Sequence, residues 1–141
     1  MKKLIYIILI LLCLSALTAC TNNKNTKETF SISIKNKSDK EIYGLHYKYF
    51  IDGNPVGGGN VENADNSILD KNEVLTDEFY PEDFQENTDL SKFSIKYYLI
   101  LKDKKEIPCN GIIKLNVKYN ETYRLILLDN GKNGFKMIKR R

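Results

Sequence analysis

Hydrophobic positions fall into two regimes along the chain. From Leu4 to Leu14 they are contiguous, and from Phe30 onward they mostly alternate with polar residues. A period of two marks a half-buried strand, whose successive side chains point to opposite faces. Phe30, Ile32 and Ile34 alternate with Ser31, Ser33 and Lys35, which predicts a first strand. Turn residues follow from Asn36 to Lys40. A longer run over 41–51 puts Tyr43, Leu45, Tyr47, Tyr49 and Ile51 on one face, with Ile42, Gly44, His46, Lys48 and Phe50 on the other. Asp52-Gly53 then suits a hairpin, because both central residues of a type I′ turn need positive φ.

The return stretch carries Gly57, Gly58 and Gly59. Glycine packs nothing in a strand interior, so an edge, a bulge or a loop is predicted there. Residues 62–70 read as a polar loop, and 73–80 as a strand whose alternation is weakened by acids. Pro81 suits the start of one helical turn. The clearest strand spans 92–102, with Phe93, Ile95, Tyr97, Leu99 and Leu101 on one face. After Asp103-Lys104-Lys105, residues 106–109 form a short return and Asn110-Gly111 turns again. Ile113, Leu115 and Val117 alternate, then Tyr123, Leu125 and Leu127, and a loop over 130–134 leads to a last strand around Phe135 to Ile138. Seven or eight short strands without a long helix beyond the opening segment predict an all-β fold. The expected architecture is an antiparallel β-sandwich, immunoglobulin-like in the loose sense, with a small barrel as the alternative closure.

The opening segment has a different logic. Lys2 and Lys3, the apolar run and a small-residue processing site make the three parts of a secretory signal. Leu4 to Ala19 offers 16 residues, short of the roughly 20 apolar residues that cross a bilayer. Leu17-Thr18-Ala19-Cys20 resembles the lipobox of bacterial lipoproteins. The resemblance implies cleavage before Cys20 and a covalent diacylglycerol on its sulfur, hence a lipid-anchored protein on the extracytoplasmic face of the cell membrane. As a whole the chain is similar to small surface lipoproteins of Gram-positive bacteria. The implied organisation is a signal peptide over 1–19, the lipidated cysteine and a flexible polar spacer over 20–28, and one sandwich domain over 29–141.

Charge narrows the partners. Removing Lys2 and Lys3 leaves 20 of the 22 basic residues against 18 acidic ones, so the net charge falls from +4 to +2. That is too little for the basic footprint of a nucleic-acid binder. Processing also leaves Cys109 as the one free thiol, so no disulfide staples the fold. The core must be apolar, and 122 residues suffice to build one.

Candidate chemistry is sparse. Cys109 and His46, the only histidine, could form a nucleophile pair if they met in space, but no family signature surrounds either. One His and one thiol cannot supply a zinc set. Calcium would need a site assembled across loops, for which Asn60, Glu62 and Asp65 offer oxygen ligands. No cofactor is expected beyond the diacylglycerol. Of nine tyrosines, eight follow Cys20; Tyr47, Tyr49 and Tyr98 are the candidate contact residues for an envelope protein or glycan, if their strands leave them exposed. The expected role is a non-enzymatic binding or accessory domain in the cell envelope. A structural spacer or assembly component is the alternative, and a hydrolase using Cys109 a distant one.

Overall fold

The computed structural model describes residues 28–131 and 134–140. Cys20 and the rest of the lipobox, with nearly all of the spacer, lie outside the described residues. Nine strands form: β1 (Phe30–Asn36), β2 (Gly44–Ile51), β3 (Asn54–Glu62), β4 (Val74–Phe79), β5 (Phe93–Ile100), β6 (Glu106–Pro108), β7 (Ile113–Lys114), β8 (Thr122–Asn130) and β9 (Gly134–Lys139). They make two sheets packed as a sandwich. One runs β4-β1-β8-β9; the other runs β3-β2-β5-β6, with β7 beside β6 on the same flank of β5. No helix among the described residues is long and apolar enough to cross a membrane.

Every ladder is antiparallel except β1–β8, where Ile32 faces Tyr123 and Ile34 faces Leu125 in parallel register. A parallel pair needs a long crossover between its strands. Here the chain from β2 to β7, the whole second sheet and β4, supplies it, which is why local turn signals could not reveal the pairing. The period-two pattern decides which way each strand faces. Phe30, Ile32 and Ile34 are buried on β1, Leu75, Asp77 and Phe79 on β4, Phe93, Ile95, Tyr97 and Leu99 on β5, and Tyr123, Leu125 and Leu127 on β8. At one end of the sandwich the core is aromatic. Phe30 stacks on Phe79 at 4.8 Å between centroids and meets Phe93 edge-on at 5.3 Å, the geometries that ring quadrupoles favour.

Three local features differ from the alternation pattern. The run over 41–51 begins its ladder only at Gly44, because the carbonyl of fully buried Ile42 accepts the Leu69 N–H at 2.7 Å instead. Leu69 is buried in a stretch that reads as polar loop, and it pins that loop to the core. Ile113, Leu115 and Val117 make a strand of two residues only. The chain then follows β5 without a ladder, through Leu115 N–H to Phe93 O and Val117 N–H to Leu90 O, while Leu115 and Val117 still point inward.

The turns follow their chemistry. Asp52 and Gly53 have φ of 51° and 81°, as the two-residue hairpin requires. Asn36 is buried: its amide donates to Leu69 O and Asp70 O, and its side-chain oxygen accepts the Ser38 N–H. Ser38 in turn donates to Asp129 at 2.6 Å. The polar groups of this turn are thereby satisfied inside the fold.

Candidate functional site

The glycine triplet and the tyrosine stripe prove to be one construction. On β3, Gly59 pairs with Tyr47 and Gly57 with Tyr49. Both rings lie across the glycines: a Cβ on Gly57 would sit 2.5 Å from the Tyr49 ring, and one on Gly59 would sit 2.9 Å from the Tyr47 ring. Aromatic cover over edge glycines is a known way to hold such a strand in register. β3 is an edge strand with a register shift opposite Tyr49 and Phe50, as three glycines in a row predict.

This arrangement removes one candidate contact residue. Tyr49 is only 7% exposed; it packs on Phe79 and Phe93, and its hydroxyl donates to Asp83 O. It is a core residue, because the bare glycines give its ring somewhere to lie. Tyr47 is half-buried against Phe79 and Tyr97. Burial, with the nearby Asp77 carboxyl, pushes its hydroxyl up to about 12. Neither ring is offered to a partner in the way that Tyr98 is.

Tyr98 points the other way, onto the outer face of the β3-β2-β5-β6 sheet. It pairs with His46 across the strands, and the next pair on this face is Lys48 with Lys96. Both lysine ammoniums lie over the Tyr98 ring, at 5.7 Å and 5.3 Å from its centroid. His46 is tilted against the same ring at 5.5 Å and bonds to Glu106 through Nδ1 at 3.1 Å. Like charges directly opposite each other on a sheet repel. No carboxylate among the described residues lies within ion-pair distance of Lys48 or Lys96. Gly58, the neighbour of Lys48 on β3, leaves that side of the pair open. The ring quadrupole offsets part of the repulsion. The result is a half-exposed aromatic ring carrying two pinned, unneutralised cations. Sequence reasoning singled out Tyr98 but not Lys48 or Lys96, since only the register brings them to the ring.

Cys109 and His46 are not brought together. Cys109 is buried in the core, with its N–H on the Tyr97 carbonyl, whereas His46 sits on the outer face beside Tyr98. Burial pushes the thiol up to about 12, and a protonated thiol is neither nucleophile nor ligand. Thiol labelling of the native protein at pH 8 should therefore be at least tenfold slower than in denaturant, measured with a chromogenic disulfide. Equal rates would mean that the thiol is accessible.

The calcium candidates do not converge. Asn60 and Glu62 are exposed on β3, while Asp65 accepts the Ser67 N–H at 3.0 Å in a local turn. The Ser67 hydrogen bonds hold the Asp65 carboxyl below its usual range. Among the described residues no three His, Cys, Asp or Glu side chains are grouped to hold a metal.

No family model matches this chain, and no curated protein does. Among solved structures it is similar to an NMR structure of a protein from Eubacterium rectale, at 9% identity and TM-score 0.47, covering 85% of this chain and 96% of that one. It is also similar to a candidate cell adhesion protein from Bacteroides fragilis, at 12% identity and TM-score 0.45 over 82% of this chain and 45% of that one. A disulfide-locked mutant of intermedilysin solved with human CD59 matches at 6% identity and TM-score 0.40, over 81% of this chain and 24% of that one. In the last two cases the chain spans less than half the length of the protein it matches.

Proposed function

We propose that this protein is a lipid-anchored, extracytoplasmic binding domain, tethered through Cys20 and presenting the outer face of its β3-β2-β5-β6 sheet to a partner in the envelope. The observation that carries the binding reading is the Lys48–Lys96 pair held on Tyr98 with no neutralising carboxylate among the described residues. Two cations opposed across a ladder cost stability, and an anionic group on the partner would recover it. The partner is accordingly an envelope protein or glycan bearing carboxylate or phosphate. The anchor reading is supported by Leu17-Thr18-Ala19-Cys20 and the signal-like segment before it.

Cross-linking and pull-down from intact cells tests both parts. Capture should be lost in Lys48→Glu/Lys96→Glu with an unchanged circular dichroism spectrum, and Cys20→Ala should abolish acyl labelling. Unchanged capture by the charge-reversed variant would overturn the binding face. Unchanged acyl labelling would overturn the anchor.

A further inference from the structure

The opposite face of the sandwich has its own composition. On the outer side of β4-β1-β8-β9, cross-strand register builds rows. Val74, Lys35, Ile126 and Ile138 form one row. Ser33 and Arg124 are neighbours in the next, where the Arg140 N–H reaches the Arg124 carbonyl at 2.8 Å. On the far side of the aliphatic row, Leu128 pairs with Lys136. Val74 is 53% exposed and Ile138 41%, while Arg124, Lys136 and Arg140 are exposed beside them. None of these cations, nor Lys35, has a carboxylate within ion-pair distance among the described residues. Two of the three arginines in the whole chain stand together here. A shallow hollow of about 270 Å3 opens between Lys35, Val74, Arg124, Ile126 and Arg140.

We infer that this face docks on an anionic lipid bilayer. Cations on both sides of an aliphatic row match phosphate headgroups above an apolar boundary, where electrostatic attraction and buried apolar area add. A soluble polyanion would use the cations and leave Val74 and Ile138 wet, so the apolar row favours the membrane. The tether has the right origin, since the spacer runs into β1, an inner strand of this sheet. From Cys20 to Phe30 the chain can span at most about 30–35 Å, which keeps the face within reach of the headgroups. The inference rests on the reading that the chain works at the membrane surface. It also gives the sandwich two sides, one lying on lipid and the other displaying Tyr98.

Vesicle sedimentation of the unlipidated chain from residue 20, with Cys20→Ser, separates this from the anchor; every strand among the described residues lies between Phe30 and Lys139, so that chain keeps the sandwich. Partition onto vesicles of one-third phosphatidylglycerol should exceed partition onto pure phosphatidylcholine at least tenfold. Arg124→Gln/Arg140→Gln should lower it about 25-fold at about a fivefold loss per charge, with Ile138→Ser weakening it further. Lys104→Gln/Lys105→Gln, in the exposed turn between β5 and β6, should leave it unchanged. Equal partition on the two lipids would overturn the inference, as would retention on soluble polyphosphate without vesicle binding. Since no acyl chain is present, failure of the Cys20 anchor leaves this result standing, and the reverse also holds.

Discussion

At pH 8 the Asp77→Asn variant should melt several degrees above the parent chain, and at pH 4 it should melt a few degrees below it. Asp77 occupies an inward slot of β4 and is 5% exposed between the sheets. Its carboxyl accepts the Tyr97 hydroxyl at 3.2 Å. Burial pushes its pKa up to about 6, although the Tyr97 bond pulls the other way. In the unfolded chain an aspartate titrates near 3.9. The folded state therefore holds the proton more tightly, so this group's contribution is full below about pH 4 and declines as pH rises to about 6. Two pKa units correspond to about 3 kcal/mol. Asparagine keeps an acceptor for Tyr97 but brings an amide that needs partners of its own, which leaves a net gain of about 1–2 kcal/mol at pH 8. That is several degrees for a domain of this size. Melting curves at pH 4, 6 and 8 check it. A constant offset between the variants across that range would show that Asp77 does not titrate between the sheets.

Asp77 also shows where reading the sequence reaches its limit. Leu75, Asp77 and Phe79 alternate without a break, yet an acid in the second slot reads as a weakened strand. What makes the slot tolerable is the Tyr97 hydroxyl on the facing sheet, and no local pattern contains that. Strands with pure alternation, β1, β5 and β8, are legible because one face must leave water, and the Asp52-Gly53 hairpin is legible because its backbone demands particular residues. The parallel β1–β8 pair depends on register between distant strands, and buried Leu69 on its contact with Ile42. The same holds for the candidate site. Tyr47, Tyr49 and Tyr98 look equivalent in sequence, but residue parity sends the first two inward and Tyr98 outward. The cations on Tyr98 come from β2 and β5 together, so their meeting is a fact of pairing.

The glycine triplet carries the second large effect. Gly58→Ala should destabilise the domain by about 2–3 kcal/mol, at the upper end of the usual cost of overpacking. A Cβ there would stand 2.4 Å from the Tyr47 carbonyl oxygen. That oxygen belongs to the strand backbone and can yield only by deforming the β2–β3 ladder. Gly57 differs in kind, because its Cβ would meet ring atoms of Tyr49, which end a side chain. The two sites therefore separate in double-mutant cycles, where residues in contact show coupling and others add. Part of the Gly57→Ala cost should be recovered when Tyr49→Ala is also present, since the obstructing ring is gone. Gly58→Ala should not be relieved by Tyr47→Ala, because the obstruction is main chain. Denaturant unfolding followed by circular dichroism measures both cycles, the chain having no tryptophan to report by fluorescence. Relief of Gly58→Ala by Tyr47→Ala would mean that β3 is held by the ring and not by the ladder. The glycines would then be an adaptable edge, with Tyr47 free to swing outward toward a ligand.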